Sequence, residues 1–155
     1  MALATGAALV AGGSAAIAEG GGGPDLKVAK VAGAPEAVLA GHAFDARVTV
    51  RNRGDARSPA SRLSAFLSTD YRTDAGDVRL DGAPKVKRLK RHRAVTKPAR
   101  FHVPKDTRPG TYRLIVCADA RQVVQEQRES NNCRTAPDDV RVPRISPPTI
   151  PPPPW

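Results

Sequence analysis

The stretch FDARVTVRNRG, residues 44–54, alternates between apolar and polar side chains over most of its length. Its apolar members stand at every second position: Phe44, Ala46, Val48 and Val50. Because successive side chains of a β-strand point to opposite faces of a sheet, this spacing predicts a strand with one face in the core and one in water. The sequence Asn-Arg-Gly at 52–54 is typical of the turn that ends such a strand.

Shorter alternating segments occur on both sides of this strand. They lie at residues 26–28, 63–67, 78–80, 86–89, 101–103, 112–116 and 140–142. No window of eleven or more residues carries a helical stripe, and 15 Pro with 13 Gly among 155 residues indicate many turns. The sequence therefore predicts an all-β fold, an immunoglobulin-like antiparallel β-sandwich of about seven strands.

Composition divides the chain into four segments. Residues 1–18 are uncharged, mostly small and apolar, and end in Ala-Ile-Ala, which predicts a signal peptide although no Lys or Arg precedes it. A flexible leader on a cytosolic protein is the alternative, while a membrane anchor would be longer and poorer in Gly. A Gly-rich linker (19–24), a folded domain (25–142) and a proline-rich tail (143–155) follow.

The charge balance favours an anionic partner. Lys and Arg number 25 against 15 Asp and Glu, a formal net charge of +10. Nucleic acid, acidic lipid and anionic wall polymers all fit this charge, and so does a ligand-free, self-repelling surface. Six aromatic residues provide little surface for base stacking, which makes nucleic acid the weaker candidate.

An ordered set of short motifs resembles one known family. The motifs are PDL (24–26), VTVRNRG (48–54), FLSTD (66–70), DAGD (74–77), VP (103–104), PGTY (109–112) and CAD (117–119), followed by Val123, Glu126 and ESNNC (129–133). Together they resemble the CARDB domain, a cell-adhesion-related module of bacterial surface and secreted proteins, over residues 24–142. The resemblance implies a sandwich of seven or eight strands that acts as a binding or spacing module without catalysis. CARDB domains usually occur in tandem or beside enzymes, whereas this sequence contains one copy.

The two cysteines predict a disulfide if the chain is exported. Cys117 ends one predicted strand and Cys133 begins the next, so a bond would close the fifteen residues between them. Two free thiols in a reducing cytosol are the alternative. A structural zinc site is disfavoured, because two Cys are too few and the three His show no paired spacing.

Two polar clusters lie in predicted loops. Asp70, Asp74 and Asp77 could provide part of a Ca²⁺ shell, but Asp is also a common turn residue, and the turn interpretation is favoured. We therefore expect any Ca²⁺ bound there to be weak, and no other cofactor. The second cluster caps backbone groups of an irregular loop or contacts a ligand, with capping favoured. It consists of Glu126, Glu129, Ser130, Asn131 and Asn132.

A basic run distinguishes this chain. Eight cations occur within sixteen residues without an acid: Lys85, Lys87, Arg88, Lys90, Arg91, Arg93, Lys97 and Arg100. If the run were a strand, Lys85, Lys87, Arg91 and Arg93 would share one face, and Val86 with Leu89 would face the core. The run predicts either a site for an anionic polymer or a solvated edge that prevents strand pairing.

No catalytic motif occurs in the sequence. It contains no G-x-S-x-G, H-E-x-x-H or P-loop pattern, and Tyr112 after Pro-Gly is typical of a strand corner in sandwich proteins. The sequence therefore predicts a secreted or cell-surface binding module, not an enzyme, whose partner is a cell-wall polymer or a surface protein. The alternative is a structural spacer or accessory domain without a ligand.

Overall fold

The computed structural model describes residues 22–82, 84–119 and 121–146. The predicted signal peptide and the tail beyond residue 146 lie outside this part of the chain. The described residues form nine strands: β1 (Leu26–Ala32), β2 (Ala43–Asn52), β3 (Ser61–Arg62), β4 (Ser64–Ser68), β5 (Val78–Arg79), β6 (Lys85–Val86), β7 (Ala94–His102), β8 (Gly110–Cys117) and β9 (Cys133–Val142). A short 3-10 helix (Glu129–Asn131) precedes β9.

The strands form two main antiparallel sheets. One has the order β1-β2-β7 and the other β5-β4-β8-β9, while β3 and β6 form a separate pair. The predicted immunoglobulin-like sandwich is confirmed. The described residues contain nine strands instead of about seven, and β3, β5 and β6 have only two residues each.

The alternation in β2 positions the core between the sheets. The side chains of Phe44, Ala46, Val48 and Val50 are all buried. They belong to one cluster with residues of β4, β8 and β9, including Leu67, Leu114 and Val140. This burial of one face of each sheet against the other is the main source of stability in the sandwich.

The sequence predicted only the end of β7. Residues 101–103 carry its visible alternation, but the strand begins at Ala94. Lys97 occupies a half-buried position among the inward-facing residues of the strand, and this charged residue hides the apolar alternation in the sequence. Its ammonium group donates to the carbonyl of Lys85. Pro98 also argues against a strand, yet β7 pairs only with β2 among the main strands.

Pro98 fits because its nitrogen faces the outer edge of β7. His102 exchanges backbone hydrogen bonds with Asp81 on the side away from β2, at 2.9 and 3.0 Å. Pro98 lies an even number of residues before His102, so its backbone nitrogen also faces away from β2. Its missing N–H therefore removes no hydrogen bond between β7 and β2. Gly82 passes close to this edge with a φ of +89°, and a Cβ there would lie 2.6 Å from the Arg100 carbonyl oxygen.

Tyr112 forms the expected corner. Its side chain is buried near the start of β8, and its hydroxyl donates to the Arg108 carbonyl at 2.7 Å. This bond fixes the chain where it enters the strand, as in other sandwich proteins. The interpretation of Tyr112 as a packing residue is confirmed.

Candidate binding surface

The basic run is not a single strand. Only Lys85 and Val86 are in β6, which pairs with β3. The backbone then bridges Leu89 to Ser58, turns at His92, whose φ is +56°, and enters β7. The predicted common strand face for Lys85, Lys87, Arg91 and Arg93 is therefore wrong, because the turn at 91–92 breaks the strand alternation.

The apolar residues of the run anchor it to the core. Val86 and Leu89 are 1% and 7% exposed, as predicted from their position between cations. Lys87 and Arg88 between them, and Lys90 and Arg91 after Leu89, are all exposed. Burial of two side chains thus holds a short segment whose charged groups project into water.

The side chain of Asn52 holds the backbone of the same segment in place through hydrogen bonds. Its side chain is completely buried at the end of β2. The amide nitrogen Nδ2 donates to the carbonyls of Ala56, Leu89 and Lys90 at 2.8, 3.3 and 3.4 Å. Its oxygen Oδ1 accepts from the N–H groups of Asp25 and Gly54 at 3.1 and 3.0 Å. One side chain therefore joins the start of the domain, the turn after β2 and the basic run.

Few acids neutralise the run. Arg100 pairs with Asp45 across β7 and β2 at 3.5 Å, and Lys97 is hydrogen-bonded to the Lys85 carbonyl. His92 contacts Asp55 at 3.1 Å. Among the described residues, the other six cations form no ion pair: Lys85, Lys87, Arg88, Lys90, Arg91 and Arg93. These six constitute the candidate polyanion-binding surface.

The disulfide predicted from the sequence is present. Cys117 is the last residue of β8, Cys133 is the first of β9, and the two are directly opposite each other. The bond closes the loop between β8 and β9. Ala118 donates to the Asn132 carbonyl at 3.0 Å, so the base of this loop is held by both a covalent and a hydrogen bond.

The second polar cluster caps this loop and ties it to β1. Glu126 accepts from the Leu26 N–H at 2.6 Å, and Asn131 donates to the Asp25 carboxylate at 2.8 Å. Glu129 accepts from the Glu126 N–H at 3.2 Å, and Asn132 donates to the Glu126 carboxylate at 3.3 Å. Ser130 is exposed in the 3-10 helix. These bonds support the capping interpretation over direct ligand contact.

Burial raises the pKa of Glu126 from 4.5 to about 7, and the nearby carboxylates of Glu129, Asp119 and Asp25 raise it as well. The hydrogen bond from Leu26 opposes this shift. Between pH 4.5 and about 7 the folded protein holds a proton that the unfolded chain has released. The contribution of Glu126 to the free energy of unfolding is therefore largest at acidic pH and falls as the pH rises through this range.

We expect Glu126→Gln to reduce this loss of stability between pH 5 and pH 8. Glutamine keeps a neutral acceptor for the Leu26 N–H and cannot ionise. Urea unfolding at several pH values measures the effect, with the exposed Glu36→Gln as the matched control. If the stability of Glu126→Gln depends on pH in the same way as that of the wild type and of Glu36→Gln, the assignment of this pH dependence to Glu126 is wrong.

The aspartates at 70, 74 and 77 are engaged in turns. Asp70 accepts from the Arg72 N–H at 2.7 Å, and Asp74 accepts from the Gly76 N–H at 2.7 Å. Asp77 accepts from the Asp74 N–H at 3.0 Å. In the part of the chain that the structure describes, no three His, Cys, Asp or Glu side chains are arranged to hold a metal ion. The hydrogen bonds support the turn interpretation, and weak Ca²⁺ binding at these residues stays a prediction.

Two antiparallel sheets packed around one core, with a disulfide between adjacent strands, define an immunoglobulin-like β-sandwich module. The chain belongs to the CARDB family, whose model matches residues 23–136. CARDB is not known as a family of enzymes. Among the described residues, no helix has the length and hydrophobicity to cross a membrane.

Solved structures support the same fold. The CARDB domain of the PF1109 protein from Pyrococcus furiosus, described as a complex with di-metal ions, has a TM-score of 0.50 and 22% identity, covering 77% of this chain and 89% of that one. A domain (272–376) of a candidate cell surface protein from Methanosarcina acetivorans has a TM-score of 0.53 and 24% identity, covering 77% and 91%. No curated protein matches significantly.

Proposed function

We propose that this CARDB domain is an exported, non-catalytic binding module that attaches to anionic cell-envelope polymer through the basic run. The observation that carries the proposal is the set of six cations between Lys85 and Arg93 without an ion-pair partner in the described chain. Val86, Leu89 and Asn52 hold their backbone in place. A fixed backbone reduces the entropy lost when the segment binds a partner.

Export and a surface location have independent support. One similar structure is a domain of a candidate cell surface protein, and the disulfide is typical of an oxidising compartment. Teichoic or uronic acid polymers present repeated negative charges in that environment. We therefore base binding on the charge of the basic run.

The second candidate function is a spacer or accessory domain without a ligand. The basic run would then be a solvated margin beside β7, where Lys and Arg prevent pairing with another chain. Both functions are compatible with the fold. They differ in whether removal of the cations changes binding to isolated cell wall.

We expect the variant with Lys87, Arg88, Lys90 and Arg91 all replaced by Gln to lose binding to isolated cell wall. Wild-type binding should weaken on the order of tens of fold between 50 and 200 mM salt, as expected if about four counterions are released. A co-sedimentation assay at several salt concentrations measures both effects. The fold should survive, because these four side chains are exposed.

A matched variant controls for net charge. It carries Gln at four exposed arginines distant in sequence from the run: Arg128, Arg134, Arg141 and Arg144. Both variants lower the formal charge by four, so a specific site predicts loss in the first and retention in the second. Equal binding by wild type and the first variant would leave the spacer function as the better account.

A further inference from the structure

A second basic surface lies on the solvent-facing side of the β1-β2-β7 sheet. The register between β1 and β2 sets Lys27 opposite Arg51, Lys30 opposite Thr49, and Ala32 opposite Arg47. Directly paired residues of an antiparallel sheet project from the same face. Lys27, Lys30, Arg47 and Arg51 therefore share one side of the sheet, which we call the sheet face.

The four cations of the sheet face have no acidic partners within the described chain. The one acid in the outward series of β2 is Asp45, which pairs with Arg100. Lys27 and Arg51 are directly opposed, and like charges in this position destabilise a sheet. The sequence thus retains an arrangement that costs stability in the free protein and that an anion would relieve.

Protection of a sheet edge does not account for this arrangement. Lys and Arg commonly blunt edge strands. However, Arg47 and Arg51 lie on β2, the central strand of the sheet. Cations on a central strand do not protect a sheet edge, so the reason for their position must be sought on the solvent-facing surface of the sheet.

The cations follow the direction of the strands. Outward residues of one strand are two positions apart, which corresponds to about 7 Å. Successive rows contain Lys27 with Arg51, then Lys30, then Arg47, and then the paired Arg100. In the middle row, the hydroxyls of Thr49 and Thr96 are 2.7 Å apart and offer hydrogen bonds between the charges. A linear polymer lying along β2 would meet an unpaired positive charge in each of the first three rows.

We propose that the sheet face binds a linear phosphodiester polymer of the cell envelope, oriented along β2. This inference rests on the proposed function and specifies the polymer and a second contact surface. Lys provides a point charge and Arg a planar fork, and both suit phosphate oxygens. The outward rows contain no Phe, Tyr or Trp side chain to stack on sugar rings or nucleic acid bases, so we base affinity on charge.

The test compares three variants that each lose four charges. The first carries Gln at Lys27, Lys30, Arg47 and Arg51, the second is the basic-run variant, and the third is the control with four distant arginines replaced. The probe is purified poly(glycerol phosphate), titrated at low and moderate salt. We expect the sheet-face variant to bind at least tenfold more weakly than the control, with a shallower salt dependence. Thermal unfolding should show that it is folded, since its four substitutions are on the solvent side.

The outcomes separate the two proposals. If the sheet-face variant binds like the control while the basic-run variant loses affinity, the sheet-face inference is wrong and the proposed function stands. If the sheet-face variant alone loses affinity, the inference stands and the role of the basic run fails. Single-stranded DNA of equal charge, or polygalacturonate, binding as tightly as the phosphodiester polymer would overturn the assignment of the partner.

Discussion

Replacement of both Cys117 and Cys133 by Ser is expected to lower the free energy of unfolding by about 3 kcal/mol, because a closed loop of this length restricts the unfolded chain by roughly that amount. The two residues are directly opposed at the ends of β8 and β9. For a domain of this size, such a loss is a large share of the total stability. Urea unfolding monitored by circular dichroism measures the change.

Two comparisons isolate the disulfide from the serine side chains. The wild type with an added reductant should lose about the same free energy as the double variant. The reductant should leave the double variant unchanged. In both uncrosslinked forms the denaturant slope should rise, since the unfolded chain exposes more surface. Equal stability of the oxidised wild type and the double variant would show that the bond does not contribute.

Local patterns in the sequence were sufficient to predict the features that depend on neighbouring residues. The alternation at 44–50 defines β2, and Val86 with Leu89 are buried between exposed cations as expected. Cys117 and Cys133 border the strands that they were predicted to border. In each case the period-two spacing of a strand or the position of a turn carries the information.

Features that depend on pairing between distant segments could not be predicted in the same way. The sheet face exists because β1 is in register with β2, with an irregularity between Val28 and Lys30 that shifts the pairing. The bond between Glu126 and the Leu26 N–H joins residues 100 positions apart. Lys97 and Pro98 do not indicate a strand in the sequence. They fit in β7 because this strand lies at the side of the sheet, and that position depends on pairing between distant segments.

Asn52 illustrates the same limit, because its neighbours in sequence suggest only a turn. We expect Asn52→Asp to lower the free energy of unfolding at neutral pH by about 3–5 kcal/mol, the largest effect of any single substitution considered. The carboxylate would keep acceptors for the Asp25 and Gly54 N–H groups. It would lose the donor to the carbonyls of Ala56, Leu89 and Lys90, and its charge would face these oxygens in a completely buried position.

Chemical denaturation at several pH values distinguishes this mechanism from a general loss of packing. A protonated aspartic acid regains one donor and loses its charge, so the stability deficit of Asn52→Asp should shrink as the pH falls. Gln125→Glu makes the same amide-to-carboxylate change at an exposed position and should alter stability by about 0.5 kcal/mol or less. A deficit in Asn52→Asp that does not depend on pH, or one no larger than in the control, would contradict the assigned role. Because Asn52 also holds the backbone at Leu89 and Lys90, the variant should bind cell wall more weakly than wild type, even under conditions in which it is fully folded.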